Sequence, residues 1–333
     1  MNQSTNKSRE GTILNRIALY VSFALALTVA IVLLEQFGWF FSVFSNFREW
    51  YFLFSLLLLS VVPFCPQKKV WIGAVSIVTL SINFFAIAPF NQGLLKKQEG
   101  FTHPQQMTML FVNLNSQNSD RNKFIDYVKT NTFEVLLLAE VNSEWMAALQ
   151  KLEAEFPFTK AIVQEGNFGM AVMSKTPLVV KNYFVDRERL IPALFLETQS
   201  RLGAFNLVLL HAHPPIGEFG TRLRNQYLDF HGRRIGELNA PTLVCGDFNE
   251  TPWNFAFQNF LNLSNTEYPK DFSALRTWPV GLPFWKLPID HCLTKDLKVL
   301  SYSAGPNIGS DHLPILVRIA PIGNREEAQE QVN

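Results

Sequence analysis

Charge is scarce in this chain. Asp, Glu, Lys and Arg make up 17% of its 333 residues, and the formal net charge is +1. Such a balance excludes a disordered polyelectrolyte, a long coiled coil and a basic arm for nucleic acid. Cysteine is scarcer still, at three residues, too few for a disulfide framework. Cys65 ends an apolar run, while Cys245 and Cys292 fall inside strand-like ones, so all three read as small buried hydrophobes. There is no Gly-x-Ser-x-Gly elbow, no P-loop and no Gly-x-Gly-x-x-Gly, which removes the motifs of three large enzyme classes. The His211-x-His213 pair has no matching Cys or His motif, which argues against zinc.

The few charges are unevenly spread. Residues 1–100 hold 12 of the 57 and net +4, whereas residues 101–333 hold 45 and net −3. The first part contains three uncharged runs: Ile17–Leu34, Trp50–Gln67 and Val70–Leu95. About 20 apolar residues in a helix cross a ~30 Å hydrocarbon core. Three transmembrane helices are therefore expected, at about 15–35, 48–66 and 70–90. A cleaved signal peptide would explain the first run but not the two that follow. Lys7, Arg9, Arg16, Lys68 and Lys69 lie on one side of such spans, against Arg48, Lys96 and Lys97 on the other. That asymmetry puts the N-terminus in the cytoplasm. Residues 1–95 are then a multi-pass anchor in a plasma or bacterial inner membrane, residues 101–322 an extracytoplasmic soluble domain, and residues 323–333 a disordered tail.

Strands are expected at Met107–Val112, Val135–Leu138, Met170–Met173, Ala193–Leu196, Leu207–Leu210, Thr242–Val244, Ile289–Leu293 and Leu313–Val317. Phe124, Ile125 and Val128 mark a helix over Asp120–Lys129, and Ser143 opens another with Met146, Leu149 and Leu152 on one face. Strands outnumber helices without strict alternation, which favours an α/β domain of stacked sheets with helices outside.

The informative pattern lies where apolar runs end. Asn113 and Asn115, Glu140, His211 and His213, Asp247 and Asn249, Asp290 and His291, and Ser310, Asp311 and His312 all sit at such junctions. Glu and His are not favoured turn residues, so six junctions of this kind point to one constellation. Carboxylates, amides and neutral imidazoles suit a hard cation, Mg²⁺ or Mn²⁺.

In this order the motifs resemble the endonuclease/exonuclease/phosphatase superfamily, with Gly246-Asp-Phe-Asn249 and Gly309-Ser-Asp-His-Leu-Pro314 as the most specific pieces. The resemblance runs from about Met107 to Val317, and the anchor adds a likeness to the membrane branch linked to teicoplanin and vancomycin resistance. It implies a four-layer α/β/β/α sandwich of two mixed sheets and a metal-dependent hydrolase of phosphoric ester bonds. By the same resemblance Glu140 is the main metal carboxylate, with Asn113 and Asp311 completing that side. Asp247 orients or deprotonates the attacking water, Asn249 holds a phosphate oxygen, and His312 acts on the phosphate with Asp290 as its partner. His211 lies near the scissile phosphate. Ala139 stands where many members carry Gln, and His213 and His291 receive no role.

Substrate class is a separate question. A net charge of −3 disfavours nucleic acid, whose binding rests on phosphate neutralisation. Arg222, Arg224, Arg233 and Arg234 read as one solvated helix face, although one of them could grip a phosphate. Trp278 and Trp285, in a segment rich in aromatics and Pro, suit an acyl or prenyl chain, and Asn115 joins them as a substrate contact. The expected function is hydrolysis of a phosphate or pyrophosphate ester of a membrane lipid, such as undecaprenyl pyrophosphate. Alternatives are an extracellular endonuclease, a sphingomyelinase-like phosphodiesterase, or a non-catalytic receptor or scaffold.

Overall fold

The computed structural model describes residues 2–94, 103–185, 191–282 and 284–322. The tail expected beyond Ile322 and the basic pair Lys96–Lys97 lie outside the described residues. The chain divides into two compact units, Met1–Asn91 with Trp253–Phe255, and Gln92–Pro252 with Ala256–Asn333.

The first unit is helical: α1 (Asn2–Leu33), α2 (Trp39–Ser45), α3 (Arg48–Val61) and α4 (Lys69–Ile87). Two segments, Thr12–Leu33 and Lys69–Phe90, are long and apolar enough to cross a membrane. The middle region is not one straight span. It consists of Trp39–Ser45 and Arg48–Phe64, bent by 61° at the break between them. Arg48, next to that break, is buried and donates to Val32 O and to Glu35. Ala18, Leu25, Leu58, Cys65 and Ile72 form the contact between the helices.

The second unit begins with β1 (Met107–Asn113), α5 (Arg121–Lys129), β2 (Val135–Ala139), α6 (Ser143–Leu149), β3 (Phe158–Ile162) and β4 (Met170–Ser174). It continues with β5 (Leu178–Val185), β6 (Pro192–Ser200), β7 (Gly203–His211), α7 (Gly217–Gly236), β8 (Thr242–Asp247) and α8 (Phe255–Ser264). It closes with β9 (Asp290–Lys295), β10 (Leu297–Ala304) and β11 (Ile315–Pro321). One mixed sheet runs β10-β11-β1-β2-β4-β3 and the other β5-β6-β7-β8-β9. The two face each other through β1, β2 and β11 on one side and β7, β8 and β9 on the other. Phe124 of α5 and Trp145 of α6 close the outer face of the first sheet. Asn142 caps α6 by accepting from the Trp145 backbone N–H. Phe257 and Phe260 of α8 pack edge-on against Phe248, and α7 crosses Leu263 through Gly232. Two mixed sheets with helices outside agree with the α/β expectation.

One reading is corrected here. Cys245 and Cys292 are not separate small hydrophobes but a disulfide, with Cα atoms 4.1 Å apart. They face each other across the antiparallel β8–β9 ladder, where directly opposed Cα atoms come within about 4.5–5.5 Å. Sequence separation, 47 residues, hid that proximity.

Two histidines serve the core rather than the chemistry. His291 packs between Phe248, Phe257 and Tyr268, and His231 packs against Tyr227, Phe230 and Phe195. Burial lowers His291 to about 4 and His231 to about 3. Both are neutral in the fold, so their contribution is complete above an unfolded pKa of about 6.5 and is lost as pH falls from there towards the folded values. Thermal melts at pH 7.5, 5.5 and 4.5 should show a falling Tm, at up to about 1.4 kcal/mol per histidine per pH unit. His231→Phe should flatten part of that fall, and an undiminished fall in the variant would contradict the assignment.

Candidate active site

The polar residues collect at one end of the sandwich because the strands that carry them run in register. β1 and β2 are parallel, with Asn113 opposite Ala139. β7 and β8 are parallel, with His211 opposite Asp247, and β9 returns antiparallel with Asp290 opposite Asp247. The turn before β11 brings Ser310, Asp311 and His312 to the same end, tied there by Ser310 Oγ donating to Asn113 O at 2.7 Å. Three of these residues have left-handed backbone, Asn115 (φ 58°), Glu140 (φ 61°) and Asn249 (φ 49°). A glutamate held at such a φ is strained, and such strain gathers at functional sites. Here it turns each side chain off the strand end into the crevice.

Asp247 is the centre. Its Oδ2 accepts from Asn113 Nδ2 at 3.1 Å and lies 3.6 Å from His211 Nε2 and 3.8 Å from His312 Nε2. Its Oδ1 accepts the Asn249 backbone N–H at 2.9 Å. Asn113 Nδ2 also donates to Glu140 Oε1 at 2.9 Å, and Glu140 Oε2 accepts the Ser116 N–H at 3.0 Å. One amide thus links two carboxylates. His312 Nδ1 meets Asp290 Oδ2 at 2.7 Å, and Thr277 Oγ1 donates to the same oxygen at 2.5 Å. Asn249 Nδ2 is spent on Ala212 O at 3.0 Å, leaving the amide one further N–H.

The electrostatics follow from burial. Desolvation, reinforced by the Asp290 carboxylate, pushes Asp247 up to about 8. Burial also raises Glu140, against the Ser116 N–H and the Asn113 amide. For His312 burial opposes the charged ring, but Asp290, with Asp247 and Asp311 behind it, holds the pKa up to about 10. Burial and the neighbouring His312 lower His211 to about 4.

Glu140, Asp247 and Asp290 gather hard oxygen donors, and burial opposes the ionised forms of Glu140 and Asp247. A divalent cation would relieve them, and this donor set fits one. Ligand atoms of Asp247, Asp290 and His312 lie within 4.8 Å of one another. Of the expected metal side, Asn113 and Glu140 are joined. Asp311 instead bonds Asn115 Nδ2 at 2.8 Å and Trp278 Nε1 at 3.0 Å, on the exposed rim. The Trp278 ring sits 6.2 Å from His312. Trp285 lies on the exposed turn that carries Leu282 and Phe284.

Several participants were not foreseen. Thr277 supports Asp290, Trp145 Nε1 donates to Asn115 O at 3.0 Å, and Phe168 stacks on both His211 (5.2 Å) and His213 (5.6 Å). His213 Nδ1 pairs with Pro214 O at 2.9 Å. Arg224 corrects the reading of a solvated helix face: it is fully buried, paired with Glu250.

A carboxylate-bound imidazole facing a second buried carboxylate, among donors suited to a hard cation, is an arrangement that metal-dependent phosphoryl chemistry can use. Residues 110–312 match the Endonuclease/Exonuclease/phosphatase family. The chain belongs to that family, and it is a metal-dependent hydrolase of phosphoric ester bonds. No curated protein matches it in sequence. Among solved structures it resembles the endonuclease/exonuclease/phosphatase from Beutenbergia cavernae (TM-score 0.54, 15% identity, 66% of this chain and 72% of that one). It is also similar to D. rerio TDP2 complexed with single strand DNA product (0.53, 14%, 64% and 98%) and to the human Nocturnin catalytic domain with bound sulfate (0.52, 16%, 69% and 99%). At these identities the likeness concerns the fold.

Proposed function

We propose that this protein hydrolyses a phosphate or pyrophosphate ester of a membrane lipid, with Mg²⁺ as the cation and an undecaprenyl-pyrophosphate-like carrier as the substrate. The observation that carries the reading is the union, in one chain, of a buried phosphoesterase site with helices long and apolar enough to cross a bilayer. The exposed Leu282, Phe284 and Trp285 turn supports it, since it offers apolar surface a few residues ahead of Asp290. We assign three crossings, the bent middle pair being one, with the catalytic unit outside the cytoplasm. The Cys245–Cys292 disulfide supports that side, because such bonds persist in oxidising compartments.

Glu140, Asn113 and Asp247 would hold the cation, which supplies charge neutralisation at the phosphoryl oxygens. Asp247 orients the attacking water and takes its proton. The His312–Asp290 pair presents an imidazolium to the phosphoryl or leaving oxygen, and the remaining Asn249 N–H steadies a further oxygen. Trp278 walls the rim above His312.

The test offers polyprenyl pyrophosphate, sphingomyelin and plasmid DNA in parallel to detergent-solubilised protein with Mg²⁺, with Asp247→Asn and Glu140→Ala as controls. Inorganic phosphate should appear from the polyprenyl lipid and vanish with EDTA or either control. DNA nicking that both controls abolish, without phosphate release from lipid, would replace this reading with a nuclease. A reporter fused after Leu95 should be active only if it is of the extracytoplasmic type; a working cytoplasmic reporter would reverse the orientation.

A further inference from the structure

Below the site lies an ion pair that the chemistry above does not use. Arg224, on the third turn of α7, and Glu250, directly after the Gly-Asp-Phe-Asn segment, are both fully buried and in direct contact. All three nitrogens of the guanidinium are engaged: Nε and one terminal nitrogen donate to Asn225 Oδ1 at 3.0 and 2.8 Å, and the other faces both Glu250 and Asn249 O (3.4 Å). With its side chain at 0% exposure it is closed off from any phosphate in solution. Glu250 in turn accepts the Thr251 N–H at 3.3 Å, and its own carbonyl accepts from His291 Nε2 at 2.8 Å. Phe248 N–H donates to Ile289 O at 2.9 Å. The four-residue turn 248–251 is thus gripped by α7 on one side and by β9 and the residue before it on the other. At its apex Asn249 has left-handed backbone and donates its N–H to Asp247.

We infer that Arg224 and Glu250 are positioning residues for the phosphoesterase reaction. Their buried pair holds the 248–251 turn so that Asn249 keeps its left-handed backbone and its hold on the Asp247 carboxylate. A buried ion pair contributes little net stability compared with apolar side chains of similar size. Retaining one at 0% exposure on both side chains fits a demand for fixed geometry. Arg is suited to it because one planar fork can serve a carboxylate and a carbonyl together. The inference deepens the proposed phosphoesterase reading and rests on it.

The decisive variant is Arg224→Met/Glu250→Leu, made in the full chain. It removes both charges at once, so the fold is not left with one of them stranded. Its Tm should stay within a few degrees of wild type. Its kcat on the lipid substrate identified above, or on bis(p-nitrophenyl) phosphate, should fall by about 10- to 100-fold, as expected when a catalytic group is displaced by around 1 Å. KM should change by less than about twofold, since the pair does not touch substrate. Arg224→Lys, which keeps the charge and loses the fork, should recover part of the loss. Amide hydrogen exchange across residues 248–251 should quicken at least about tenfold in the double variant, with β8 unchanged. Full kcat in a folded double variant, or unchanged exchange in the turn, would overturn the inference. If the wild-type protein hydrolyses none of the phosphoesters, the proposed function fails, and the exchange measurement alone still decides whether the pair fixes the turn.

Discussion

Asp247→Asn should lower kcat by about 10³–10⁴-fold while leaving the fold intact. The substitution is nearly isosteric, and the carboxylate it replaces lies at the centre of the site. Asp247 Oδ2 faces Asn113, His211 and His312, while Oδ1 takes the Asn249 N–H. An amide in that place cannot accept a proton from water. Its NH₂ would also oppose the Asn113 NH₂ or an imidazole N–H, so the network must rearrange as well as lose charge. Stability should hold or rise, because burial and Asp290 already work against the ionised form of Asp247. Circular dichroism and thermal melting alongside turnover measurements separate the two effects. A variant retaining a tenth of wild-type kcat would remove Asp247 from the chemistry.

Asp290→Asn is expected to cost about 10²–10⁴-fold in kcat and, more tellingly, to move the pH profile. Burial alone would lower the His312 pKa; it stands at about 10 because Asp290 contacts the ring, with Asp247 and Asp311 adding to the field. The imidazolium form persists below that pKa and is lost as pH rises through it. In the wild type the alkaline limb should therefore lie near pH 10. In Asp290→Asn the supporting charge is gone while the desolvation remains, so the limb should shift down by several units towards neutrality. The amide could also stabilise the wrong imidazole tautomer. Initial rates from pH 5 to 10.5 for both proteins provide the check. An unchanged alkaline limb would mean that His312 does not act as the acid.

Most of the site was legible because its residues interrupt apolar runs, and a buried strand cannot end in Glu, His or Asp without a reason. The same logic explains what was missed. β3, β5 and β10 went unpredicted, and each lies at the edge of its sheet. β3 has no buried position, β10 mixes exposed and buried ones, and neither carries a continuous apolar run. The site residues found by apolar interruption lie on or beside β1, β2, β7, β8 and β9, or in the turn before β11. Phe168, Thr277 and Trp145 carried no such signal, since a buried aromatic or a threonine in a loop reads as packing. Arg224 was misread because its neighbours Arg222 and Gln226 are exposed. One buried cation among solvated ones has no mark in a linear sequence. The middle helix expected at 48–66 gave no sign of the helix Trp39–Ser45 that meets it at a bend, and no proline stands at Asn46–Phe47 to mark the break.

The cross-strand cystine has a meaning for alignment as well as for location. Cys245 is two residues from Asp247 and Cys292 two from Asp290, so on a pleated strand the sulfurs and the two carboxylates share one face. A slip of β9 by a single residue along β8 would turn Asp290 to the opposite face and carry His312's partner away from the crevice. Hydrogen bonds alone allow such slips at a sheet edge, and β9 is an edge strand. With Cys245 bonded to Cys292, the slipped ladder is not a competing state of the oxidised chain. The pairing of the two aspartates is written into its covalent structure.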